Sequence, residues 1–179
     1  MIVQKKARVF LILLVPAAFI FQTLHEVEHF SQIYQRWWLG VGPQMAHGIL
    51  FFLDIEWNHF LFNTGYLLLL VLIAFFLVFD RGAHAEVKKA AFGKLGLNLF
   101  WAGVIIQAYH VIEHTVRMGQ FFQLGCTPCP GILGWYFDLA YLHFTFNTLT
   151  WLLPTPIFFL IFRMVKESLS PSQTVQNQW

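Results

Sequence analysis

The chain has 179 residues, of which 58% are hydrophobic and 11% are charged, and its formal net charge is +2. Because soluble domains carry about 25% charged residues, this composition excludes an ordinary soluble domain and indicates an integral membrane protein surrounded by lipid. We find no sequence motif for nucleic-acid binding and expect no nucleic-acid partner.

The first predicted helix covers about residues 9–33. Its apolar run, Val9–Leu24, is shorter than the roughly 20 residues that cross a bilayer, so the helix has to continue through the polar residues that follow. Those residues share one helix face because they are three or four positions apart. They are Gln22, His25, Glu28 and His29. Basic residues before the run are also typical of a signal peptide, but we expect the segment to be retained because a copy of it lies in mid-chain.

The second predicted helix covers about residues 57–80, and its apolar run reaches the spanning length unaided. His59 and Asn63 are four positions apart and therefore share a face. Asp54 precedes the helix, where an N-cap, an additional metal ligand and a proton relay are the three interpretations. We assign residues 1–80 to the first of two repeats.

A basic linker, residues 81–94, separates this hairpin from a third predicted helix at about 95–119. The apolar part of that helix is again too short to cross a bilayer alone, and it leads into the polar set already seen in the first helix. The repeated residues are Gln107, His110, Glu113 and His114.

The fourth predicted helix covers about residues 138–163 and repeats the polar residues of the second. The repeated residues are Asp138, His143 and Asn147. Pro154 and Pro156 predict a kink in this helix, and Pro16 predicts one in the first helix, because proline lacks a backbone N–H group. Residues 95–166 form the second repeat, and the polar tail 167–179 is expected to be disordered.

Two cysteines, Cys126 and Cys129, lie in the connection before the fourth helix. A disulfide staple, a soft-metal or redox pair and two free thiols are the alternatives. The corresponding connection in the first half has no Cys, so this pair does not belong to the repeated polar set. His47 also has no counterpart, and we expect it to be a surface residue.

The two halves together predict an all-α fold. We expect an integral membrane four-helix bundle built from two tandem, parallel two-helix repeats, related by a pseudo-twofold axis along the membrane normal.

The basic residues predict the orientation of the chain in the membrane. Nine of the 11 Lys and Arg residues flank the side that holds both termini and the linker. The positive-inside rule therefore predicts a multi-pass protein of the inner (plasma) membrane with both termini cytoplasmic. The histidine- and glutamate-rich stretches then lie toward the outer face.

The repeated polar residues predict a metal site. Loose ionisable groups in the outer leaflet cost at least a few kcal/mol each unless they are paired or bound to a cation. Imidazole and carboxylate together suit a transition metal such as Fe, Zn or Cu. The expected ligands are His25, Glu28, His29, His59, His110, Glu113, His114 and His143. The expected supporting residues around these ligands are Gln22, Asn63, Gln107, Asn147, Asp54 and Asp138.

Three kinds of metal chemistry fit these residues. The first is a non-haem centre for redox or oxygen chemistry or for metal handling, and the second is haem b or another tetrapyrrole held between helices. The third is a membrane zinc hydrolase, since His25-Glu26-x-x-His29 satisfies the His-Glu-x-x-His pattern. That pattern is lost in the second half, where Val111 replaces the glutamate, although the inverted His-x-x-Glu-His order occurs in both halves.

Two interpretations need no metal catalysis. The histidines and glutamates can act as polar links between helices in the membrane. A small, phenylalanine-rich chain is also typical of a non-catalytic subunit of a larger membrane complex, whose partners are other membrane subunits or further copies of the chain.

Overall fold

The computed structural model describes residues 2–42, 45–50, 56–90 and 92–169. Within these residues the chain forms helices and no strand, which confirms the all-helical prediction. The α-helices are α1 (Ile2–Trp37), α2 (Glu56–Phe79), α3 (Arg81–Lys89), α4 (Gly93–Leu124), α5 (Leu139–Leu152) and α6 (Thr155–Leu169), and a 3-10 turn covers Leu133–Trp135.

Four segments are long and apolar enough to cross a membrane. They are Val9–Trp37, Glu56–Phe79, Gly93–Leu124 and Leu139–Met164. Each has at least 24 residues, which at about 1.5 Å per residue exceeds the ~30 Å apolar layer of a bilayer. The four predicted helices are confirmed, and the two histidine–glutamate stretches lie inside the first and third segments.

The four segments pack into one bundle. Helix α1 packs against α2, α5 and α6, and α4 packs against the same three helices. We call the end of the bundle where α1 connects to α2 and α4 connects to α5 the loop end. The opposite end, which carries α3, is the α3 end. The linker is therefore partly helical, with Asp80 capping α3 by accepting a hydrogen bond from the Ala83 N–H group at 3.0 Å.

The fourth segment is broken where the prolines predict it. Helix α5 ends at Leu152 and α6 begins at Thr155, with Pro154 between them. Gly103 of α4 faces this break, and a Cβ atom on it would lie 2.8 Å from Pro154 Cγ. The glycine therefore lets α4 approach the break closely. Helix α1, in contrast, continues through Pro16.

The bundle is apolar outside and divided into two layers inside. Large side chains such as Leu13, Leu68 and Ile105 are more than half exposed in the middle of the spans, as expected for lipid-facing residues. The interior toward the α3 end is an apolar core that includes Tyr66 and Phe100. The interior toward the loop end holds the histidines and amides, which positions the candidate site. Residues 170–179 of the predicted tail lie outside the described residues.

Candidate metal centre

The first histidine triad joins α1 to α2. His25 and His29 lie one turn apart on α1, and His59 faces them from α2. One ring nitrogen from each lies within 4.8 Å of the other two, and all three side chains are buried. The Nε2 atoms of His25 and His29 are 3.0 Å apart. These three histidines can hold a metal ion.

The second triad repeats this arrangement between α4 and α5. His110 and His114 lie one turn apart on α4, and His143 faces them from α5. The ligand atoms again lie within 4.8 Å of one another, and the Nε2 atoms of His110 and His114 are 2.9 Å apart. Each hairpin thus brings its own three histidines together.

The spacing of the ring nitrogens suits a bound cation. Two imidazole nitrogens that bind one tetrahedral ion at about 2.1 Å lie roughly 3.4 Å apart. The Nε2 pairs at 3.0 and 2.9 Å need only a few tenths of an ångström to reach that separation. A metal binds the neutral form of imidazole, and burial in an apolar environment also favours that neutral form.

The two triads lie side by side and form one cluster of six rings. His29 faces His143 at 5.7 Å between ring centroids, and His59 faces His114 at the same distance. Both pairs are stacked and both cross between the hairpins. Two metal ions bound in the triads would therefore be near neighbours.

Gln32 orients one ligand of the first triad. Its Oε1 atom lies 2.9 Å from His29 Nδ1 and accepts the proton of that nitrogen. The Nε2 lone pair of His29 then points at the triad, which is the tautomer that a metal needs. The sequence prediction missed Gln32, although it lies three residues after His29 and thus on the same helix face.

An ion pair borders the second triad. Arg117 of α4 and Glu56 of α2 are both buried and form a salt bridge. A second guanidinium nitrogen of Arg117 donates to His143 Nε2 at 2.6 Å. Neither residue was among the predicted site residues. The available signal was that Arg117 falls on the histidine face of a predicted spanning helix, where a charge is costly unless it is paired, and that Glu56 lies three residues before His59.

Glu28 and Glu113 hold the loop-end connections onto the bundle. Glu28 Oε2 accepts the N–H groups of Ile49 at 3.0 Å and Leu50 at 2.5 Å. Glu113 Oε1 accepts the N–H groups of Ile132 at 2.8 Å and Leu133 at 3.0 Å. The triads themselves consist of histidines only. A direct ligand role for the two glutamates stays a prediction.

Two glutamines hold the same connections at a second point. Gln35 exchanges two hydrogen bonds with the backbone of Gly48, and Gln120 does the same with Gly131. Both glycines have left-handed backbone, with φ of 74° and 70°, which other residues adopt with strain. The sequence prediction missed these glutamines, which follow each His-Glu stretch in the same register.

The predicted supporting amides form a layer below the triads. Gln22 donates to Asn147 Oδ1 at 2.9 Å, and Gln107 donates to Asn63 Oδ1 at 3.1 Å. Each bond joins an amide of one hairpin to an amide of the other. Asn63 and Asn147 also donate to the carbonyl oxygens of His59 and His143, each at 2.9 Å. Among the bonds described for them, the amides contact the backbone of the histidines, one another and the Thr150 hydroxyl, not the imidazole rings.

Asp138 caps α5 and forms an ion pair at the loop end. Its Oδ1 atom accepts the N–H groups of Ala140 and Tyr141, and its Oδ2 atom pairs with Arg36 at 2.5 Å. The capping interpretation is thereby supported for this residue. Asp54, its counterpart, lies outside the described residues.

Glu26, the glutamate of the zinc-hydrolase pattern, faces away from the triad. Its Oε1 atom accepts the hydroxyl of Thr148 on α5 at 2.6 Å. A general base in a zinc hydrolase has to reach a water on the metal, and Glu26 is already engaged elsewhere. This contact weighs against the His-Glu-x-x-His form of the zinc-hydrolase pattern.

A cavity of about 290 Å³ connects the cluster to the loop end. Its floor includes His29, His59 and His143, with Glu56 and Arg117 in its wall. The loop residues at its mouth are Ala46, His47, Thr127 and Pro128. The cavity has room for roughly ten water molecules at about 30 Å³ each, so a small polar molecule or a hydrated ion fits.

The cysteines lie beside this mouth. Cys126 and Cys129 form a disulfide, which brackets Thr127 and Pro128 at the cavity. The staple interpretation is therefore confirmed in the structure. His47, predicted to be a surface residue, is exposed and lines the mouth.

No protein-family model, curated protein or solved structure matches this chain. Function therefore has to be inferred from the chemistry of the cluster and of its surroundings.

Proposed function

We propose that this protein binds a transition metal in a duplicated, all-histidine site within the membrane. The observation that carries the proposal is the cluster of six buried imidazoles, divided into two triads whose nitrogens already lie close to ligand distances. The four spanning helices that hold it are apolar on their lipid-facing sides, so the cluster is a polar exception in an oily chain.

The duplication is part of the proposal. The same four contacts occur in each half: the histidine triad, the glutamate–loop bonds, the glutamine–glycine clamp and the cross-hairpin amide bond. These parallels support two tandem repeats, 1–80 and 95–166, that are related by a pseudo-twofold axis along the membrane normal.

The proposed orientation puts the site toward the outer face of the inner membrane. The basic residues concentrate at the α3 end and the termini, which supports a cytoplasmic position for that side. The disulfide at the loop end supports an oxidising compartment for the other side. The reactant then enters the cavity from outside the cell membrane.

The chemistry proposed is that of a non-haem centre. Imidazole-only ligands suit Fe, Zn or Cu, and the metal supplies redox, oxygen or metal-handling chemistry when it is bound. The chain itself orients His29 through Gln32, keeps lipid away from the cluster, and admits small polar reactants through the loop-end cavity. Glu28 and Glu113 hold the α1–α2 and α4–α5 connections in place beside that cavity.

Elemental analysis of the full chain purified in mild detergent tests the proposal. We expect a first-row transition metal in the wild type and no Soret band in the optical spectrum. The double substitution His25→Ala and His110→Ala removes one ligand from each triad and abolishes metal binding. His84→Ala, which removes a histidine at the α3 end, is the control and leaves the metal content unchanged. A Soret band would assign a tetrapyrrole instead, and a folded wild-type protein that binds no added metal would end the proposal.

A further inference from the structure

Two of the positions at which the halves of the duplicated site differ carry residues that touch each other. Gln32 follows His29 by three residues, whereas Arg117 follows His114 at the same spacing. Glu56 precedes His59 by three residues, whereas Ala140 takes that place before His143. Arg117 and Glu56 form the buried salt bridge, so the two differences act as one unit.

The two triads therefore have different hydrogen-bond partners beside their histidines. In the first triad the neutral Gln32 accepts a proton from His29 Nδ1 and leaves the Nε2 lone pair of that histidine for a metal. In the second triad one guanidinium nitrogen of Arg117 lies 2.6 Å from His143 Nε2 and 3.4 Å from His143 Nδ1, so this donor competes with a metal for the lone pair of that ring.

The salt bridge holds Arg117 in this position. Glu56 is buried on α2 and binds one guanidinium nitrogen while the other reaches His143. Moving Arg117 away from His143 would separate a buried ion pair, which is costly because a charge inside the membrane then loses its partner. The obstruction of the second triad is therefore a stable feature of the fold.

We propose that the two triads are unequal, so that the chain binds one divalent first-row transition ion tightly at His25, His29 and His59. The His110, His114 and His143 triad binds a second ion at least 100-fold more weakly while Arg117 holds His143. This inference rests on the proposed metal-binding function and adds to it the number of tight ions and their position. The protein is then a single-metal centre derived from a two-site arrangement.

Titration of the metal-free full chain with Co²⁺, followed by the visible absorption of the bound ion, tests this inequality. We expect one tight equivalent in the wild type. Arg117→Gln restores at position 117 the residue that Gln32 provides in the first half, and it should raise the number of tight equivalents to two. Gln32→Arg is the reciprocal variant, and it should weaken the tight site by 100-fold or more.

A second pair of variants identifies the triad in use without altering the ion pair. His59→Ala should abolish the tight equivalent, whereas His143→Ala should abolish the weak one. Equal losses in these two variants, or two tight equivalents in the wild type, would overturn the inequality and leave metal binding itself intact. A wild type that binds no Co²⁺ would instead refute the proposed function.

Discussion

At the scale of single residues, hydrogen-bond direction decides what each buried polar group can do. A glutamine oxygen beside His29 leaves a lone pair for a metal, whereas the guanidinium beside His143 takes one. The carboxylates of Glu28 and Glu113 are turned to loop amides, although they share a helix face with the histidines. Polar side chains that share one helix face thus contact either the histidines or the loops around them.

Replacing Gln32 should weaken metal binding without unfolding the protein. Gln32→Ala removes the acceptor for His29 Nδ1, and loss of such an orienting partner typically costs 10- to 100-fold in metal affinity. Co²⁺ titration measures the change. Gln35→Ala is the matched control, because Gln35 lies three residues further along α1 and clamps Gly48. Equal affinity losses in the two variants would show that Gln32 has no specific role.

Substitutions of Glu113 can distinguish a role in holding the loop from a role as a metal ligand. Glu113→Ala should lower the free energy of unfolding by about 1–3 kcal/mol, since two part-buried N–H groups lose their acceptor. Thermal unfolding in detergent measures this effect. Glu113→Gln keeps an accepting oxygen and should recover part of the stability with its metal content unchanged. Loss of metal in Glu113→Gln without loss of stability would instead identify a metal ligand.

At the scale of helices, close approach and cross-hairpin bonds set the geometry of the bundle. The amide bonds from Gln22 to Asn147 and from Gln107 to Asn63 tie each hairpin to the other just below the triads. Gly103 brings α4 against the proline break of the fourth segment. These contacts fix how far apart the two triads lie and explain why six rings form one cluster.

Replacing glycine with alanine at two positions of α4 should have different effects on the free energy of unfolding. Gly103→Ala places a Cβ atom 2.8 Å from Pro154 Cγ, and such overpacking typically costs about 1–3 kcal/mol of unfolding free energy. Gly119→Ala is the control in the same helix, because nothing lies within 4 Å of its added Cβ atom. The control should be neutral or up to about 1 kcal/mol more stable, since alanine favours helix. Thermal unfolding distinguishes the two, and a stable Gly103→Ala variant would contradict the close packing.

At the scale of the whole molecule, the bundle separates an apolar half from a polar half. The core toward the α3 end resembles that of any helical bundle, whereas the interior toward the loop end contains the histidines, the ion pair and the cavity. These polar groups are tolerated in the membrane because the bundle encloses them and pairs many of them, for example through the bonds between the two hairpins. The cavity connects this polar half to the loop end.

The proposed orientation predicts which engineered cysteines a membrane-impermeant maleimide reaches in intact cells. Met45→Cys, exposed at the loop end, should be labelled directly. Lys88→Cys, exposed on α3, should be labelled only after the membrane is permeabilised. The wild type is the control, since its two cysteines form a disulfide. The reverse labelling pattern would invert the proposed topology.

The local properties of this protein follow from the pattern of residues along the chain. Apolar runs and a three- to four-residue polar spacing predicted the four spanning segments and the histidine faces, because both depend only on the pitch of a helix. The break near Pro154 was also readable, since proline acts within its own turn.

The packing of the helices against one another determines which residues each helix face contacts. It turned Glu28 and Glu113 to the loops, paired Gln22 with Asn147, and brought Glu56 to Arg117 across two helices. The physical reason is that a contact between helices depends on their relative rotation and depth in the bundle, and these result from packing over the whole chain. A repeat in sequence predicts two similar sites, but the contacts between the halves decide whether the two sites are equal.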